Sequence, residues 1–117
     1  MPVYTAQYRY AGFDRLDITV KGKHPVGKVL APTWDLVINL NNGRITRDEY
    51  TSRYVALLYQ RLQHTDAALF NFIIKRAMMA DITFVCFCPP DTFCHRVIVA
   101  QLFHSQFGIA YNGERRL

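Results

Sequence analysis

The densest chemistry in this 117-residue sequence lies in one segment, Cys86-Phe87-Cys88-Pro89-Pro90-Asp91-Thr92-Phe93-Cys94-His95-Arg96. It contains all three cysteines of the chain. A thiolate is a nucleophile and a metal ligand. A histidine moves protons near neutral pH. An arginine forks onto phosphate or carboxylate. Four chemistries therefore compete: a cysteine nucleophile, a metal site, an anion or nucleotide pocket, and a redox pair of Cys88 and Cys94. A phosphatase-type loop needs cysteine six positions before its arginine. Position 90 is proline, so that chemistry is excluded. A metal site is also disfavoured. The Cys-x-Cys spacing departs from the usual Cys-x-x-Cys of a metal site, and adjacent Cys94 and His95 converge poorly on one ion. The expectation is no metal and no cofactor. The plain alternative is packing, since buried strand cysteines are common and inert, and Cys86 reads best as core.

The elements around this segment must position it. Ile82–Cys88 is a β-rich apolar run, read as a strand buried on both faces and ended by Pro89-Pro90. A helix follows over about 93–107 and stops at Gly108. Cys94, His95 and Arg96 thus fall at a helix start, where unpaired N–H groups favour anions and thiolates. Two cationic side chains there oppose the helix dipole. Such local misfits concentrate at working sites.

Upstream, Val3–Tyr10 and Leu16–Val20 read as strands. Residues 21–32 form a basic Gly/Pro loop. Thr33 caps a short helix carrying Trp34, Val37 and Ile38, ended by Asn41-Asn42-Gly43; a strand over the same residues is the competing reading. Thr46 and Glu49 form a capping box opening a helix over about 47–63. A further helix spans about 66–79, capped by Asp66 or Thr65, with Leu69, Phe72, Ile73 and Ala77 inward. Ile109–Tyr111 is a last short strand. Strands alternate with helices, so the chain is expected to be one α/β, Rossmann-like domain over residues 1–117. Its sheet is mostly parallel, with helices on both faces. Such sheets bind ligands beyond the C-terminal ends of their strands.

Lys plus Arg number 14 against 9 acids, a net charge of +5 and a pI near 9.3. That balance favours an anionic small molecule or nucleic acid as partner. No Lys/Arg run of five exists, so no long nucleic-acid footprint is written here. No apolar run is long enough for a membrane span, and no secretory leader is expected. Clustered, odd-numbered cysteines point to a reducing cytoplasm. The sequence does not set an oligomeric state.

Cys-x-Cys-Pro…Cys-His-Arg, leading into an apolar helix, resembles the family catalogued as domain of unknown function 488. Tyr8-x-Tyr10, Arg15-Leu16-Asp17-Ile18-Thr19-Val20, Ala31-Pro32-Thr33-Trp34, Tyr50-Thr51-x-x-Tyr54 and Tyr111-x-Gly113-Glu114 are similar to its shorter members. Many members carry an acid near the first cysteines, where this chain has Pro89-Pro90. The resemblance implies a compact Rossmann-like domain of bacteria and their viruses, with a site at Cys94-His95-Arg96. The expected reading is an enzyme acting on a nucleotide, nucleoside or nucleic-acid base. Cys94, His95 and Asp17 would be catalytic. Arg96, Cys88, Arg9, Tyr8, Tyr10 and Trp34 would bind the ligand. Tyr50 and Tyr54 share a helix face, and Glu114 either returns to the site or lies in a frayed tail. The alternatives are a non-catalytic nucleotide-, nucleic-acid- or protein-binding module, and a metal or thiol-redox site.

Overall fold

The computed structural model of the chain describes residues 2–88 and 92–116, and the side chain of Thr65 is not among what it describes. The described strands are β1 (Val3–Gln7), β2 (Arg15–Asp17), β3 (Ile82–Cys86) and β4 (Tyr111–Arg115). The helices are α1 (Trp34–Asn41), α2 (Arg47–Gln60), α3 (Ala67–Met79) and α4 (His95–Phe107). The four strands pair in the order β2-β3-β1-β4, all parallel. The chain is a single compact α/β domain, as the alternation of elements predicts.

Local signals set the helices. Thr33 Oγ1 accepts from the Leu36 amide, so WDLVINL is helical despite its β-formers. Thr46 and Glu49 make the reciprocal capping box that opens α2. Gly108, at φ 68°, closes α4 in the left-handed region. The α2 pattern, expected to run to about 63, ends at Gln60 and passes into a wider π turn over Arg61–Thr65. Within α3 one expected core residue is corrected. Phe72 is exposed, and Phe70 points inward with Ile73, Ile74 and Ala77. Phe70 gains the ring of Phe103, 6.1 Å away, which the period alone does not reveal.

Connectivity sorts the sheet's two faces. β2→β3 and β3→β4 step in the same direction across the sheet, so right-handed crossovers carry their helices over the same face. The buried apolar residues of the helices join one cluster with Val3, Leu16, Ile82 and Phe84. Phe103 stands edge-on to Phe84 at its centre, 5.3 Å away. Tyr4, Ala6, Thr83 and Val85 alternate with these residues and so point to the other side. That face is covered by different chemistry. The Arg115 guanidinium lies over the Tyr4 ring at 3.6 Å and the Tyr10 ring at 5.6 Å. It also pairs with Asp14 at 3.3 Å.

Asp14 accepts from the Tyr10 and Thr83 hydroxyls. Burial pushes its carboxyl up, but these two hydroxyls and Arg115 outweigh burial and hold it below the ordinary carboxylate value. A lowered folded-state value stabilises the protein above the unfolded carboxylate pKa. The contribution fades as pH falls through the folded value. Asp14→Asn is therefore expected to lower the melting temperature at pH 7, and the gap to wild type should close as the pH falls below the ordinary carboxylate range. A gap that is constant across this range would remove the charge from the explanation.

The edges of β2, β3 and β4 differ from expectation. β2 ends at Asp17, β3 at Cys86, and β4 extends to Arg115. The shortening of β3 matters most, because it frees the chain to bend at Phe87 and Cys88. Pro89, Pro90 and Asp91, read from sequence as the strand's end and a nearby acid, lie outside the described residues.

Candidate functional site

β3 delivers Cys86 to the C-terminal edge of the sheet, with β1 on one side and β2 on the other. Cys94 sits at the N-cap of α4 in extended conformation and makes no side-chain cap bond. Residues two apart along a strand share a face, and Cys88, just past the end of β3, stays on the side of Cys86. The sulfurs of Cys86, Cys88 and Cys94 lie within 4.8 Å of one another.

Arg96 organises the trio. Its Nη1 donates to Cys86 Sγ at 3.0 Å, to Cys94 Sγ at 3.5 Å and to the Cys88 carbonyl at 2.9 Å. Its Nε and Nη2 donate to the two carboxylate oxygens of Glu114 at 3.2 and 2.8 Å. The residue is only 1% exposed. The expected anion-binding role of Arg96 is thus replaced by an internal one. Its fork grips a carboxylate carried by β4, and its remaining N–H face is turned to sulfur.

Hydrogen bonds among the sulfurs set their charge. The Cys88 and Cys94 thiols donate to Cys86, and Arg96 adds positive potential. Together they overcome burial and hold the Cys86 thiol far below its ordinary value. The same sharing pushes Cys88 up to about 11 and Cys94 up as well. The arrangement therefore favours the thiolate form at Cys86, beside the Arg96 guanidinium.

His95 is buried at 8% exposure, and burial lowers its pKa, so the ring is neutral at pH 7. Its Nε2 lies 2.8 Å from the Ile18 carbonyl. A carbonyl only accepts, so Nε2 carries the proton and Nδ1 keeps its lone pair. That Nδ1 lies 3.8 Å from Cys94 Sγ. Tyr54 stands edge-on to the ring at 5.9 Å and holds its tilt, while its own hydroxyl donates to the Leu30 carbonyl.

Above these groups opens a cavity of about 500 Å³. Cys86, Cys88, Cys94 and His95 form its reactive side. Trp34, Val37 and Leu40 of α1, Tyr50 of α2, and Val20, Phe87 and Phe93 form apolar walls. Thr19, Lys21 and Asn41 supply polar groups. Tyr50 and Phe93 meet edge to face at 5.6 Å. The Lys21 ammonium lies 4.8 Å from the centre of the Trp34 ring. The size and the mostly apolar lining are those of a small-molecule site.

Of the catalytic and ligand-binding residues expected from sequence, Cys88, Cys94, His95 and Trp34 line this cavity. The others are placed elsewhere. Asp17 is buried and accepts from the Thr19 amide and hydroxyl at 2.9 and 2.7 Å, so its carboxylate orients a cavity residue instead of reaching the cavity. Tyr8 stacks on Phe87 at 4.2 Å, with Arg15 over its ring at 4.5 Å. Tyr10 donates to Asp14 on the other face of the sheet. Arg9 is exposed in the turn after β1. These three belong to the flank and to the opposite face because β1 ends at Gln7. Sequence reasoning missed Cys86 as a site residue. Its position one step before the bend was the available signal.

Over residues 3–107 the chain matches DUF488-N3a, described as the active DUF488-N3 subclade. The chain belongs to this family. No curated protein and no solved structure matches it. Within this DUF488-N3a domain the matched span includes the sulfur trio, His95 and Arg96. Glu114, which holds Arg96 from β4, lies beyond it.

Proposed function

We propose that this DUF488-N3a domain is an enzyme acting on a nucleotide, nucleoside or nucleic-acid base. One observation supports it above the rest: a single cavity combines an aromatic, apolar wall with a sulfur trio and an uncharged histidine whose Nδ1 is open to accept a proton. A planar base fits between walls built from Trp34, Tyr50, Phe87 and Phe93. Lys21 gives the mouth a cation for a phosphate or other anionic substituent. Thr19, fixed by Asp17, and Asn41 offer hydrogen bonds to the edge of a base. Cys88 is the half-exposed sulfur and the one a substrate meets first. Arg96 acts through the sulfurs as a positioning residue. His95 is the proton acceptor, held in one tautomer by Ile18.

The test is direct. Purified protein is incubated with a panel of bases, nucleosides and nucleotides, and the products are resolved by mass spectrometry. Wild type is expected to convert at least one member, and Cys88→Ser to lose that conversion while keeping its circular dichroism. A panel with no conversion by wild type would remove the enzymatic reading.

A further inference from the structure

We infer that Cys86, Cys88 and Cys94 form a binding site for one thiophilic divalent ion of the zinc class, held by three sulfurs with the fourth position turned to the cavity. The inference stands on the placement of the sulfurs and holds whatever the substrate is. Three sulfur atoms already lie within 4.8 Å of one another. Zn–S bonds of about 2.3 Å in a tetrahedron put sulfurs about 3.8 Å apart. The contraction needed is about 1 Å, within reach of side-chain rotation at Cys88, which sits on a bend outside the strand.

The surroundings fit thiolates bound to a metal. Arg96 Nη1 donates to two of the three sulfurs, which orients them and offsets their charge. Three thiolates and one divalent ion carry a net charge of −1, and the guanidinium faces it. His95 places a ring nitrogen 3.8 Å from Cys94 Sγ while its other nitrogen is tied to a backbone carbonyl. The donor set also selects the ion. Soft sulfur suits zinc-class ions, whereas magnesium and calcium need oxygen. The neighbouring carboxylates are engaged, Glu114 by Arg96 and Asp17 by Thr19. All three sulfurs line the cavity. Three protein ligands and an open position are the pattern of a catalytic metal, and a closed structural site would take a fourth protein ligand.

The probe is Co²⁺ alone, added anaerobically to reduced, chelator-stripped full-length protein. A sulfur-to-cobalt charge-transfer band is expected, saturating at one ion per chain and displaced by Zn²⁺. Cys88→Ser is expected to weaken binding at least about tenfold with unchanged far-ultraviolet circular dichroism. Should that variant fail to fold, alkylation of the wild type serves instead, and Zn²⁺ is expected to protect the three thiols from iodoacetamide. Absence of the band in folded protein, a band that persists in Cys88→Ser, or alkylation indifferent to Zn²⁺ would overturn the site. The readout is binding alone, so its failure leaves the product assay untouched.

Discussion

Replacing Arg96 with methionine is expected to cost about 3–5 kcal/mol of unfolding free energy, the range for breaking a buried ion pair from one side. The guanidinium is 1% exposed and the Glu114 side chain 11%. Methionine fills part of the space but leaves the carboxylate buried without its bidentate partner. It also leaves the Cys86 thiolate without its closest cation. Urea denaturation measures the loss. Arg96→Met with Glu114→Gln is expected to recover part of it, because the stranded charge is gone. A loss below about 1 kcal/mol in the single variant would place Arg96 among ordinary surface residues. It would also take away the organiser of the sulfur trio.

The second large effect is catalytic. His95→Ala is expected to lower turnover of the converted base by about 10²–10⁴, the usual contribution of a positioned acid or base. The fall should appear in kcat, with KM little changed, because the imidazole lies among the walls' reactive groups and the apolar contacts that hold the ligand remain. The fold should survive, since His95 contributes one hydrogen bond to Ile18, a contact with Cys94 Sγ and an edge contact to Tyr54. Unchanged kcat would remove His95 from proton transfer.

Much of this architecture is legible in local sequence. Thr46 and Glu49 announce their capping box within four residues, Gly108 ends α4 through its own backbone, and the run from Ile82 to Cys88 reads as a strand covered on both faces, of which Ile82–Cys86 forms β3. Each rests on interactions a few residues apart. The candidate site is less legible because its decisive contacts are distant. A histidine and an arginine opening a helix oppose its dipole, and from sequence this misfit suggests a bound anion. The fold answers it internally: Ile18 supplies a carbonyl to His95 across 77 positions, and Glu114 supplies a carboxylate to Arg96 across 18. Convergence of the three sulfurs was hidden for a related reason. Alternation along a strand puts Cys86 and Cys88 on one side, and only the fold brings Cys94, at the start of α4, to join them. The aromatic walls were partly visible, in Trp34, but Phe87, Phe93 and Lys21 gain their roles from the way α1 and the bend meet.

The central claim is that the cavity over the sulfur trio is where this protein takes its ligand. Trp34 is the only tryptophan in the chain and forms part of the cavity wall, about half exposed at 48%. Its fluorescence is therefore a reporter confined to the site. Titration of the wild-type protein with bases, nucleosides and nucleotides is predicted to give a saturable change in Trp34 emission with at least one of them. Emission that stays constant across the panel, or drifts linearly without saturation, would contradict the account.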